Sequence, residues 1–469
     1  MKRREFFRNA SLGAVATSFI LPFQSCTPTQ SLVNGQGKGR KAKNIIFMVS
    51  DGMSSGTLTL ADLFLRRKEG KASFWMDLYR NQRASRALMD TASFDSLVTD
   101  SAAGSSSWGS GHRVPNGHLN VGAKGEQYKP ILQKFKEAGK KVGCVTTVPI
   151  THATPAGFCI NNKSRNGQEE IAVDYLTLRF DVMMGGGSKY FNEREDKRDL
   201  FEEHKTAGFH VVRDRNSMLS LNGSAPVMGV FDTNGLPYEI DRINDAELSK
   251  SIPSLADMTI KSIELMKDHK AGFVIQVEGG KVDWAAHAND APALVYEQAA
   301  FDEAVKVAVE FAEKDGNTLV IITTDHGNSN PGLYYGTKAD ANFDKFMSTQ
   351  HSNDFVLNSI KKDETPDDII QKVKAAQNFD ISLENAQELK SKYLYTGGDG
   401  VYNPYKLPFK EYGEMMAKHT SVAFGSMEHS GDFVELAMFG PGSEQLKPFM
   451  VNTELHNFML EAAEVENKF

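Results

Sequence analysis

Short and almost uninterrupted apolar runs recur along the chain at residues 44–50, 141–148, 272–277, 318–323 and 434–439. They lack the alternation of a strand with one wet face. Such runs suit strands buried on both faces, as in the centre of a sheet covered by helices. Stretches with helical spacing lie between them, near residues 58–65, 128–138, 254–268 and 291–314. Strand and helix in alternation predict an α/β fold. Residues 331–420 break the rhythm with polar helix candidates at 366–376 and 382–391 and a Tyr/Gly-rich piece at 393–412. This segment reads as an insertion on the sheet rather than an independent domain. Residues 181–255 alternate short apolar runs with turns, and the glycine run after Met183-Met184 reads as a strand end rather than a nucleotide loop.

The run at 44–50 ends in Asp51-Gly52-Met53. A carboxylate at the carboxyl end of a central strand lies where open α/β sheets bind ligands, although an N-cap for the next helix uses the same residue. The apolar stretch Leu97-Val98-Thr99 leads through Asp100 to Ser101 and the small residues Ala102-Ala103-Gly104. It reads as a strand delivering a serine to a helix N-terminus, where free N–H groups and the helix dipole favour an anion. The run at 141–148 feeds Thr151-His152-Ala153-Thr154, with Arg165 shortly after. The run at 272–277 ends in Glu278, followed by Asp283 and His287. These last two are four apart and share one face of a helix, where they form either a metal grip or a surface pair. Asp325-His326 follows the run at 318–323, and His429 lies in a turn before the run at 434–439. Each position alone has an ordinary structural explanation. Together, carboxylates and imidazoles without thiolates at successive strand ends fit a hydrolytic zinc cluster.

Charge narrows the partners. The 469 residues carry a net charge of -7, which argues against a nucleic-acid partner. A phosphate-seeking site must then be a local positive pocket. The N-terminus adds a compartment. Residues 1–26 read as an export signal: Arg3-Arg4 shortly before Phe6-Phe7 resembles the twin-arginine signal for folded proteins, and the apolar run at 11–23 is too short to span a bilayer. Cys26 after Ser25 resembles a bacterial lipoprotein cleavage site, with a simple cleaved signal as the alternative. Residues 27–43 read as a flexible tether, and 44–469 as a single domain of an exported, periplasmic protein. Cys144 reads as a buried free thiol, with a Cys144–Cys159 disulfide as the alternative.

The pieces Ser50-Asp51-Gly52-Met53, Thr99-Asp100-Ser101-Ala102-Ala103, Ala153-Thr154-Pro155-Ala156, Gln276-Val277-Glu278-Gly279 with Asp283 and His287, Thr324-Asp325-His326, and Glu428-His429-Ser430-Gly431 follow one another in this order. In that set the chain resembles the alkaline phosphatase family across about residues 44–460. The resemblance implies a three-layer sandwich around a large, mostly parallel central sheet with helices on both faces. It implies hydrolysis of small-molecule phosphate monoesters through a phosphoserine, two Zn2+ ions, one Mg2+ ion and a homodimer. Asp283, His287 and His429 would hold one zinc, and Asp51, Asp325 and His326 the other. Asp51, Thr154 and Glu278 would hold magnesium. Ser101 would be the nucleophile, Arg165 the phosphoryl clamp and Asp100 its support. His152 and Trp284 stand where the family's best-known bacterial form has an acidic residue and a lysine; they are placed in the outer shell and imply a weaker hold on product phosphate. A phosphodiesterase or another hydrolase of the same superfamily is the alternative.

Overall fold

A computed structural model describes residues 41–393 and 406–468. The export signal with Cys26, nearly all of the tether and part of the Tyr/Gly-rich piece lie outside the described residues. The strands are β1 (Asn44–Ser50), β2 (Ser85–Asp90), β3 (Lys141–Pro149), β4 (Val182–Gly186), β5 (His210–Val212), β6 (Val227–Val230) and β7 (Phe273–Gly279). They continue with β8 (Thr318–Thr323), β9 (Gly327–Asn328), β10 (Gly332–Leu333), β11 (Val422–Ala423), β12 (His429–Ser430), β13 (Val434–Phe439) and β14 (Phe449–Val451). Ten of these form one sheet in the order β14-β2-β13-β8-β1-β7-β3-β4-β6-β5. Only β13 runs against its neighbours β2 and β8. The sheet is therefore mostly parallel, with helices on both faces, as the apolar runs imply.

The two faces follow from period-two geometry. Ile46, Met48, Ile275, Val277, Val320 and Ile322 point into one core, with the helices Ser55–Lys68, Leu255–Met266 and Ala291–Asp315. Ile45, Phe47, Val49, Val274, Leu319 and Ile321 point into the other, with Ile131–Glu137, Gln168–Leu178 and Glu454–Ala462. A strand whose odd and even residues both meet apolar helices has no reason to alternate. That is why the runs are continuous.

One expected strand is absent. β2 ends at Asp90, and residues 91–100 form an irregular loop. Leu97 is 86% exposed there, incompatible with a place in the buried sheet. Polar anchors hold the loop instead: Asn116 donates to the Val98 carbonyl and accepts from the Asp100 N–H, and Asp95 accepts from the Asn116 N–H. The helix that the loop introduces, Ser101–Ser110, starts as expected. Cys144 and Cys159 are buried free thiols with sulfurs 3.6 Å apart.

Residues 331–420 hold a third apolar cluster that includes Val356, Leu357, Val373, Leu389 and Tyr412. The expected helices appear as Pro366–Gln377 and Leu383–Ser391. The sequence reading missed Ala339–Phe346, Asn353–Ser359 and Phe409–Thr420.

Candidate metal centre and nucleophile

Four adjacent parallel strands, β8, β1, β7 and β3, bring their carboxyl ends to one edge of the sheet. Asp325 and His326 follow β8, Asp51 follows β1, Glu278 lies at the end of β7, and His152 and Thr154 follow β3. Asp283 and His287 sit one turn apart on the helix Lys281–His287. His429 arrives from a distant part of the chain because β12 pairs with β9, setting His429 opposite Asn328. Gly52, at φ 66°, lets β1 turn close beside Asp283: a Cβ there would lie 2.5 Å from Asp283 Oδ1.

The candidate ligand atoms fall into three groups: Asp283, His287 and His429; Asp51, Asp325 and His326; and Asp51, Glu278 and His152. Thr154 adjoins the third, donating to Asp51 Oδ2 at 3.1 Å. His287, His326 and His429 each turn Nδ1 to a backbone carbonyl, of Met427, Gly327 and Thr99 at 2.6, 3.2 and 3.0 Å. Nδ1 thus carries the proton and the Nε2 lone pair points inward, the tautomer a metal requires. The lone pairs crowd together, with His287 and His429 Nε2 atoms 3.0 Å apart and the His326 and His429 rings stacked at 3.7 Å.

Charge balance tests whether cations fit. Asp51 Oδ1, Asp325 Oδ2 and both oxygens of Glu278 are buried without a hydrogen-bond partner. Burial, reinforced by Asp325, Asp283 and Glu278, pushes the Asp51 carboxyl well above its ordinary range. Burial raises Glu278 to about 8, and burial with the nearby Asp283 raises Asp325 to about 6. Asp283 completes the set, its two oxygens 3.5 Å from Nε2 of His287 and of His429. Four carboxylates and four imidazoles converging beside one guanidinium, Arg165, fit divalent cations.

Ser101 lies beside this cluster. Its Oγ is 3.2 Å from His326 Nε2, at the first residue of its helix, where backbone N–H groups are free. Asp100 caps that helix through Oδ1 on the Ala103 N–H at 2.9 Å. Its other oxygen accepts from the Gly117 N–H and from Arg165 Nη1, at 2.9 and 3.0 Å. Arg165 Nη2 lies 3.3 Å from His152 Nε2. Burial and the neighbouring Arg165 cation lower His152 to about 3, so its imidazole is neutral. Ser101, Arg165, His152, Asp283, Trp284, His287 and His429 all line one open cavity of about 520 Å³.

The family model for alkaline phosphatase matches residues 42–465. The chain belongs to the alkaline phosphatase family. It is 30% identical to alkaline phosphatase 4 of Bacillus subtilis over 98% of each chain, and 31% identical to the Escherichia coli alkaline phosphatase over 64% of this chain and 73% of that protein. The crystal structure of the Thermus thermophilus alkaline phosphatase superimposes with a TM-score of 0.84 at 30% identity, covering 91% of this chain and 92% of that one. As a member of the alkaline phosphatase family, the protein is a metal-dependent phosphoric monoester hydrolase.

Within the alkaline phosphatase framework, two features escaped the sequence reading. His152 offers a nitrogen to the third group itself, where outer-shell support was expected. Asn328 donates to Asp283 Oδ1 at 2.7 Å and so orients a candidate ligand. Its only signal was its place three residues after Asp325.

Proposed function

We propose that the protein hydrolyses phosphate monoesters through a phosphoserine formed on Ser101. The observation that carries this reading is the Ser101 hydroxyl at a helix N-terminus, 3.2 Å from a buried imidazole and in one cavity with an arginine clamp. Asp283, His287 and His429 would hold one zinc, Asp51, Asp325 and His326 a second, and Asp51, Glu278 and Thr154 a magnesium with His152 beside it. When bound, the ions would lower the pKa of the attacking hydroxyl or water and take up charge on the leaving oxygen.

The chain's own residues supply the rest. Arg165 grips two phosphoryl oxygens through its planar fork, and Asp100 sets the plane of that fork. The N–H groups at the start of the Ser101 helix face the third oxygen. Ser101 Oγ forms a bond to phosphorus as the ester oxygen departs opposite it and leaves as the alcohol. Water then attacks the phosphoserine from the same side, freeing phosphate and restoring Ser101. Every named group addresses phosphate and none reads the alcohol, so many monoesters should serve.

The twin-arginine stretch and Cys26 support export to the periplasm with a lipid anchor. Among the described residues no helix is long and apolar enough to cross a membrane. A homodimer is supported by an exposed apolar strip: Leu88 pairs with Phe449 across β2 and β14, Phe449 packs edge-on to Phe433 at 5.0 Å, and Leu97 lies beside Gly431. Charged substitution of Phe433 should yield monomers in sedimentation.

Ser101→Ala tests the central claim. It should lower phosphomonoesterase kcat by about 10³-fold or more while metal content, measured on the purified protein, stays the same. Full turnover in this variant would overturn the reading.

A further inference from the structure

Lys281 begins the helix that carries Asp283 and His287, yet its ammonium lies on the rings of Tyr238 and Trp284. The residue is only 7% exposed. Burial opposes its charge, while Asp354, Glu297, Asp241 and Asp232 act on it from a distance in the favourable sense. Among the described residues none of these carboxylates forms an ion pair with it, and no hydrogen bond claims its ammonium. The Nζ instead lies 3.6 Å from the centre of the Tyr238 ring and 4.9 Å from that of Trp284. A lysine serving as counter-ion would close on a carboxylate. This one is placed on two aromatic faces.

Trp284 carries the contact onward. Its ring meets the His152 ring edge-on, with centroids 6.1 Å apart and planes at 80°, and His152 Nε2 faces the inner arm of Arg165. Gly235 closes the back of the indole so tightly that a Cβ there would lie 2.8 Å from Trp284 Cζ3. The indole is therefore held by Lys281 and the Gly235 backbone together, with its edge against the imidazole that flanks the clamp.

We propose that Lys281 is a positioning residue for phosphate binding: its ammonium fixes the Trp284 indole, which fixes His152, which keeps Arg165 aligned opposite Asp100. The inference rests on the arginine-clamp reading above. Lys281 touches neither phosphate nor a candidate metal ligand side chain. Its removal loosens the clamp without removing any group from it.

The test reads inorganic phosphate as a competitive inhibitor, beside KM and kcat for an aryl phosphate, in metal-loaded protein. Lys281→Met, which keeps the length and removes the charge, should raise the phosphate inhibition constant and KM about three- to tenfold with kcat not reduced. Lys281→Arg, which restores a cation over the rings, should return both to within about twofold of the parent. The Lys281→Met effect should vanish in a Trp284→Ala background, because the path runs through the indole. Gly235→Ala crowds the same ring, and the Lys281 Cδ less tightly, and should raise both constants while the Lys281 charge stays in place. It also serves if Lys281→Met does not fold. The proposal is overturned if Lys281→Met leaves phosphate inhibition unchanged, or if the effect persists in full without Trp284. Arg165→Ala separates the two claims: unchanged phosphate inhibition in that variant refutes the clamp itself, whereas a weakened one leaves the Lys281 results to be judged alone.

Discussion

The carboxyl edge of β8, β1, β7 and β3 and the segment 331–420 treat buried polarity in opposite ways. At the sheet edge, Asp51, Glu278 and Asp325 keep buried oxygens with no hydrogen-bond partner. In the segment, Ser352, Thr365 and Ser382 each cap a helix, with Asp368 completing a capping box on Thr365. Tyr412 donates to Gln377 Oε1 at 2.8 Å, and the Gln377 amide donates in turn to Asn353 Oδ1 at 2.9 Å. Among the described residues of the segment, Thr349 Oγ1 is the exception. Buried polar groups that are satisfied specify and stabilise a fold. Those left unsatisfied together, and of one charge, point to a cation from outside. The first region gives up stability for chemistry; the second has little chemistry to serve.

Metal removal should separate the two regions most strongly. Dialysis against a chelator should cut phosphomonoesterase turnover by about 10³-fold or more and speed amide exchange after β1, β7 and β8, where carboxylates would face one another without countercharge. Exchange in the helices Asn353–Ser359, Pro366–Gln377 and Phe409–Thr420 should stay unchanged. If those helices loosen as much, the two regions are one cooperative unit and the contrast fails.

Arg165→Ala comes next. Loss of the fork should lower kcat/KM for an aryl phosphate by about 10²- to 10³-fold, with thermal stability nearly kept because the guanidinium lies at the cavity wall. Leu357→Ala is the converse. Leu357 is fully buried in the segment's core, so the change should cost about 2–5 kcal/mol, read by denaturant unfolding. KM should stay within about twofold of the parent. A large change in KM would make the segment part of the substrate pocket.

The same contrast explains what could be read from the sequence. Continuous apolar runs ending in acid or histidine were legible because a strand buried on both faces leaves its mark residue by residue. Asp51, Glu278 and Asp325-His326 therefore stood out, and the helix Ala291–Asp315 was placed within a residue of its end. The lead into Ser101 was misread because Leu97 and Val98 look like a strand. Their burial is decided by hydrogen bonds from Asn116, sixteen or more residues away, which no local pattern carries. The helix Phe409–Thr420 was hidden for a similar reason: its buried face meets a small core gathered from distant parts of the chain, and Gly413 fits because it packs against Asn289. Lys281 reads as a surface lysine in any linear pattern, since the rings that hold it come from residue 238 and from its own next turn.

The smallest effect concerns pH, in the buried polar layer along the helix Ala291–Asp315 and its N-cap Asp290. Burial raises Asp290 and Glu297 to about 8 and Asp302 to about 7. In the unfolded chain these carboxyls ionise near their ordinary values of about 4. A raised folded pKa means that the native state binds the proton more tightly. The stability this contributes is present in full below about pH 4 and is lost progressively as pH rises through about 7 to 8. Glu297→Gln isolates one of the three. Its carbonyl can keep the 2.7 Å bond that Glu297 Oε1 accepts from the Glu239 N–H, but it cannot ionise. At pH 5 the variant should melt close to the parent. At pH 9 its melting temperature should exceed the parent's by several degrees, and the fall between the two pH values should be shallower. Equal slopes would mean that Glu297 stays charged in the fold, balanced by Lys281 and Arg242. The polar layer would then be a network of charges like the sheet edge rather than a set of neutral caps like the segment.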